Sequence, residues 1–174
     1  MKILVLNGSP RANGNTAQMI AAFKESAENV GSEVTVIDVC KKQIHGCIAC
    51  EYCHTKGNGQ CVQKDDMQEI YDVLKDADML VLASPIYYHG ISGQLKCAID
   101  RFYSAAYPAG PKNLKKVAMF LSSGASRQYE GAKYSYENDF LGYLRLRNMG
   151  FVTCAGGVTQ RTLNEIRSIG EKCK

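Results

Sequence analysis

The sequence has no apolar run that could cross a membrane. Its longest stretches, such as residues 117–121, are a fraction of the ~20 residues a spanning helix needs. It has no Lys/Arg block either. Its 21 basic and 17 acidic residues leave a net charge of +4, which argues against nucleic acid as the main partner. Internal repeats and low-complexity linkers are absent, and 45% hydrophobic residues can fill a core, so residues 1–174 read as one domain. No Ser-His-Asp or paired-carboxylate set asks for a hydrolytic explanation. Met1 is followed at once by the strand-like run Lys2-Ile3-Leu4-Val5-Leu6, which leaves no room for a leader and predicts a cytoplasmic protein.

What is present is eight cysteines, and in a reducing compartment these are read as metal ligands, redox groups or small hydrophobes, not as a disulfide framework. Cys40, Cys97, Cys154 and Cys173 are scattered and are expected in or near the core. Cys47, Cys50, Cys53 and Cys61 fall within one segment, residues 43–64.

Apolar runs alternate with helix-period segments from end to end. Strands are predicted at 2–6, 33–39, 79–83, 116–121 and 151–155. Helices are predicted at 15–29, 66–75 (capped by Asp65), 93–104, 134–148 (closed by Met149-Gly150) and 162–171. Such βαβ alternation implies a parallel sheet with helices on both faces, because each parallel connection needs a crossover.

In an open parallel sheet, ligands bind at the carboxyl ends of the strands near the switch in strand order. Three loops at that edge look specialised. The first runs from Asn7 to Thr16. Its small and hydroxyl residues let backbone N–H groups converge on an anion at a helix N-terminus. Ser9, Asn13, Asn15 and Thr16 add polar groups, and Arg11 adds charge. The loop lacks G-x-G-x-x-G and G-K-[ST], and it suits a terminal phosphate monoester such as that of FMN. The second loop, Ser84-Pro85-Ile86-Tyr87-Tyr88-His89-Gly90, combines rigid Pro with flat aromatics that pack on a flavin ring. A competing reading puts one of Tyr87 and Tyr88 in the core and the other at a subunit contact, and it is expected to hold for one of them. His89 reads as a surface histidine, and Lys96 with Asp100 as a helix-surface pair.

Gly8-Ser9-Pro10-Arg11 with Gly14-Asn15-Thr16, Ala83-Ser84-Pro85-Ile86-Tyr87-Tyr88, and Lys96 with Asp100-Arg101-Phe102 resemble the NADPH-dependent FMN reductase branch of the flavodoxin-like proteins. The resemblance implies a three-layer α/β/α sandwich with a five-stranded parallel sheet of order 2-1-3-4-5. It implies that Ser9, Arg11, Asn15 and Thr16 bind the FMN phosphate and that Pro85, Ile86, Tyr87 and Tyr88 line the isoalloxazine. Ser122, Ser123 and Gly124 would close the other side. It also implies a homodimer or homotetramer.

The four close cysteines are spaced C-x2-C-x2-C-x7-C. Bacterial ferredoxins share the C-x2-C-x2-C start, and structural zinc sites usually present two separated pairs. On this fold the motif resembles the iron-sulfur flavoproteins, which implies a [4Fe-4S] cluster on Cys47, Cys50, Cys53 and Cys61 beside the FMN. Zinc and metal-free thiols stay open as alternatives, and His54 as an alternative ligand. The function expected is an FMN-dependent oxidoreductase or electron-transfer flavoprotein. NAD(P)H or ferredoxin would be the donor, and a quinone, oxygen or peroxide the acceptor. The rivals are an NAD(P)H-dependent FMN or quinone reductase without a cluster and a non-catalytic flavin carrier.

Overall fold

The structure is a computed structural model and describes residues 1–107 and 110–174. The apolar runs form the parallel strands β1 (Lys2–Asn7), β2 (Glu33–Asp38), β3 (Met79–Tyr87), β5 (Lys116–Ser123) and β6 (Arg147–Ala155). A two-residue strand, β4 (Gly90–Ile91), turns back antiparallel on β3. The order is β2-β1-β3-β5-β6, which is 2-1-3-4-5 once the hairpin strand is set aside. β1, β3 and β5 are buried on both faces, so they read as unbroken Leu/Val/Ile runs rather than alternating ones.

Helices cover the two faces. Ile3, Val5, Val81 and Phe120 pack under α1 (Asn15–Asn29) and α6 (Gln160–Glu171). Leu4, Leu6, Leu80, Leu82 and Met119 pack under α2 (Met67–Leu74), α3 (Gly93–Asp100), α4 (Phe102–Ala105) and α5 (Glu130–Ser135). A π-helical segment, Tyr136–Tyr143, continues α5. The result is the flavodoxin-like α/β/α arrangement expected.

Two elements differ from the sequence reading. The helix expected at 93–104 breaks at Arg101, whose backbone leaves α3 before α4 begins. The helix expected at 134–148 starts earlier and ends at Tyr143, and β6 begins at Arg147, so Met149-Gly150 lies inside a strand and caps nothing. Tyr136 explains the exchange. It is 1% exposed, and its hydroxyl reaches Val117 O at 3.1 Å and Asn148 Oδ1 at 2.8 Å. That same Oδ1 accepts from Gly150 N at 2.9 Å beside a bulge opposite Val117/Ala118, so Asn148 is held in the sheet.

Candidate functional site

The strand order reverses between β1 and β3, so the loops leaving these two strands flank the switch point. Gly8 N donates to Ala83 O at 2.8 Å and ties the two exits together. Asn7 organises the first loop. Its side chain donates to Asp38 Oδ1 at 2.9 Å and accepts from Ser9 N at 2.9 Å. Asp38 is held below the usual carboxylate range, chiefly by Lys41, with burial opposing and Asn7 assisting. The Cys40 thiol donates to Ser9 O at 3.0 Å, and Ser9 Oγ accepts from Arg11 N at 3.3 Å.

Gly14 precedes α1 as its N-cap, so the helix has no side-chain cap, and its first turn carries no acidic residue. Its leading N–H groups are therefore free for an anion, and the helix dipole favours one. Arg11 and Asn13 are exposed at the mouth, and Arg11 has no ion-pair partner among the described residues. Asn15 Nδ2 reaches Gly156 O, in the loop after β6. Thr16, 1% exposed, shares a hydrogen bond of 2.9 Å with Ser122 Oγ. Its hydroxyl thus links the first loop to the end of β5 instead of standing free. Ser123 accepts from Ala125 N at 3.3 Å, and its carbonyl accepts from Gly156 N at 2.8 Å, while Gly124 lies exposed beside it.

The second loop is a tight hairpin. Tyr88 and His89 both take left-handed backbone, φ 49° and 63°, between Tyr87 and its partner Gly90. Two consecutive non-glycine residues in that region store strain of the kind that collects at ligand sites. Tyr87 and Tyr88 are 47% and 103% exposed, so neither is in the core, contrary to the reading that placed one there. His89 is exposed. Pro85 is half-buried and Ile86 is buried among core residues, so Ile86 offers a bound ring mainly its backbone. Ser84 Oγ accepts from Ser92 N at 2.9 Å and fixes the hairpin to the start of α3. These groups suit FMN: free N–H groups and a cation at one end, exposed aromatics at the other.

The cysteine segment lies between β2 and α2. Ala49 and Glu51 take left-handed backbone, φ 51° and 56°, and coil the chain tightly between Cys47 and Cys53. Cys47, Cys50, Cys53 and Cys61 consequently line one small void of about 20 Å³ together with Arg101, Gln63 and Tyr103. Burial pushes the Cys53 thiol up, and the nearby Cys61, Cys47 and Cys50 push it the same way. Among the described residues, no three Cys, His, Asp or Glu side chains surround a point where one metal ion could sit. His54 is engaged elsewhere: its ring stacks on Tyr103 and Tyr107 at 3.9 and 4.4 Å, and Nε2 meets Tyr103 O at 2.8 Å. The scattered cysteines follow expectation: Cys154 and Cys173 are buried, Cys40 and Cys97 half-buried.

A group missed by sequence reasoning anchors this segment. Arg101 is 1% exposed and makes a two-toothed ion pair with Asp65, Nη1 to Oδ2 at 2.8 Å and Nη2 to Oδ1 at 3.2 Å. No sequence signal marks the pair, because Arg101 and Asp65 lie 36 residues apart and the helix period runs through Arg101 unbroken. Asp65 also accepts from Met67 N at 3.2 Å, which makes it the side chain that caps α2, and from His45 N at 3.1 Å. Lys96 and Asp100 form the expected surface pair.

The sheet order, the switch-point loops and the strained hairpin define the class as a flavodoxin-like flavin-binding fold. The model of the NADPH-dependent FMN reductase family matches residues 1–157, and the chain belongs to that family. An iron-sulfur flavoprotein of Archaeoglobus fulgidus is 34% identical over 134 residues, 77% of this chain and 60% of that protein. One from Methanocaldococcus jannaschii is 36% identical over 127 residues, 73% of this chain and 64% of that protein. The chain thus spans somewhat under two thirds of the length of these relatives. In structure it is similar to an NAD(P)H:quinone oxidoreductase from Methanothermobacter marburgensis, with TM-score 0.76, 19% identity, and coverage of 100% of this chain and 96% of that one. An FMN-dependent NADH-azoreductase from Bacillus anthracis gives TM-score 0.69 at 17% identity, covering 99% of this chain and 98% of that one.

Proposed function

We propose that this chain, as one domain, is a flavin-dependent oxidoreductase that holds FMN at the β1/β3 switch point and a [4Fe-4S] cluster in the 43–64 segment. The observation that carries the cluster reading is the convergence of Cys47, Cys50, Cys53 and Cys61 on one void. A cubane spreads its four thiolates over four different iron atoms, so the thiols need to ring a volume, not a point. The names of the relatives from A. fulgidus and M. jannaschii support the same reading. The void as it stands holds about one water, so a cluster would be held there by the four thiols only with the exposed turn at Cys47 and Cys50 placed further out.

When bound, FMN supplies two-electron and one-electron chemistry, and a cluster passes single electrons. The chain supplies position. Ser9, Asn13, Asn15, Thr16 and the N-terminus of α1 hold the phosphate, with Arg11 balancing its charge. Pro85, Ile86, Tyr87 and Tyr88 fix the ring from one side, and Ser122, Ser123 and Gly124 from the other. The family's description supports NAD(P)H as donor, with ferredoxin as the rival, and a quinone, oxygen or peroxide is the acceptor. Exposed Tyr87 and Tyr88 are the face a second copy would cover in a dimer or tetramer. Among the described residues, no helix is long and apolar enough to cross a membrane, and a cytoplasmic location is part of the proposal.

A second reading, a reductase without a cluster, is favoured by the size of the void, which as it stands holds about one water. The visible spectrum of anaerobically purified protein separates the two. Broad absorbance beneath the flavin bands, bleached on reduction, supports the cluster; a pure flavin spectrum overturns it. Turnover with NADH or NADPH then separates a reductase from a carrier.

A further inference from the structure

Arg101 has the largest side chain among the fully buried ones, and a buried guanidinium is unfavourable unless its donors are met. Its four hydrogen bonds are with the cysteine segment and with Asp65 just after it. Besides the pair with Asp65, Nη1 donates to His45 O at 3.0 Å and Nη2 to Gln63 O at 3.5 Å. His45 stands two residues before Cys47, and Gln63 two after Cys61, so one side chain closes both ends of the four-cysteine segment. The fifth donor, Nε, is buried with no partner among the described residues. Orphaned buried donors are rare, and this one belongs to a side chain that lines the void shared by all four thiols.

We propose that Arg101 is the positioning residue of the cysteine site, and that its Nε–H is the donor to sulfur there, a role that rests on the cluster reading above. Burial works against the charge of the guanidinium, and Asp65, ahead of Tyr71 and Cys61, more than restores it, so the group stays cationic. A fixed cation and an N–H···S hydrogen bond both favour the reduced, more negative state of a cluster, and so raise its reduction potential. Asp65 neutralises part of that charge. The N–H to sulfur is therefore the part of the effect peculiar to arginine.

Two variants test this. Asp65→Asn with Arg101→Gln removes the pair and leaves no buried charge unmatched. Arg101→Lys returns the charge without the fork. In metal-free protein, amide exchange across residues 45–65 should rise at least about tenfold in both, with β3 unchanged. After anaerobic reconstitution with iron and sulfide, the double variant should lose about tenfold in the one-electron equilibrium constant, ~59 mV more negative. Arg101→Lys should recover only part of it. An unchanged potential in the double variant overturns the sulfur-donor role, and unchanged exchange overturns the positioning role. Parent protein that takes up no iron overturns the cluster reading itself, and the exchange result then still decides the positioning role.

Discussion

Substituting Gly8 by alanine should disturb the flavin site from inside. A Cβ at Gly8 would lie 2.6 Å from Ser92 Oγ, 2.9 Å from Leu95 Cβ and 3.3 Å from Ser84 Oγ. All three neighbours are fully buried and have no free space to retreat into. They are also coupled: Ser84 Oγ donates to Pro85 O at 2.7 Å and accepts from Ser92 N, and Ser92 Oγ accepts from Leu95 N at 3.4 Å to cap α3. One methyl group therefore presses on the network that sets the second flavin loop. Overpacking of this kind costs about 1–3 kcal/mol. At ~2–4 °C per kcal/mol for a chain of this size, Tm should fall by roughly 2–12 °C. FMN should bind about two- to twelvefold more weakly if half of that strain, ~0.5–1.5 kcal/mol, is felt by the bound state. Gly93→Ala is the control. Nothing lies within 4 Å of its Cβ position at the start of α3, so alanine should stabilise by about 0.5–1 kcal/mol. Thermal unfolding and fluorescence titration with FMN read both. If Gly8→Ala melts and binds FMN like the parent, the argument for a close-packed switch point is wrong.

Thr16→Val removes the buried bond to Ser122 and should weaken FMN binding by about 1–3 kcal/mol, read by titration; unchanged affinity would remove Thr16 from the site. Gly170→Ala should destabilise by about 1–3 kcal/mol in urea, because a Cβ there meets Ala27 N and Phe23 O at 2.9 Å where α6 crosses α1. Burial pushes the Asp65 carboxyl up, but Arg101 and the N–H groups of His45 and Met67 outweigh it and hold it below its ordinary value. A lowered folded pKa means the stabilisation is complete above the unfolded value, about 4, and is lost as pH falls through the folded one. Unfolding midpoints between about pH 5 and 2 should therefore fall less steeply for Asp65→Asn than for the parent; equal slopes would discount the pair.

The sheet was legible because each buried strand is a short apolar run between turn signals, and α1 and α6 because Met19, Ile20, Phe23 and Ile166, Ile169 recur at helical spacing. The start of β6 was not, since Arg147-Asn148-Met149-Gly150 carries no strand pattern and owes its place to Tyr136 and the bulge. The hairpin at Tyr88-His89 lacks the Asn-Gly or Asp-Gly that marks such a turn, so tertiary contacts override local propensity there. Spacing exposed the four cysteines as a group, but not the brace, because Arg101 and Asp65 are far apart in sequence. Thr16 was legible as a polar loop residue, while its bond to Ser122 depends on the fold.

The central claim is that one chain carries both FMN and an iron–sulfur cluster. Iron, acid-labile sulfide and flavin measured together on anaerobically purified protein test it most directly. The account predicts about four iron, four sulfide and one FMN per chain. Full FMN with no iron or sulfide would contradict it, and would leave a flavin reductase whose four cysteines are free thiols.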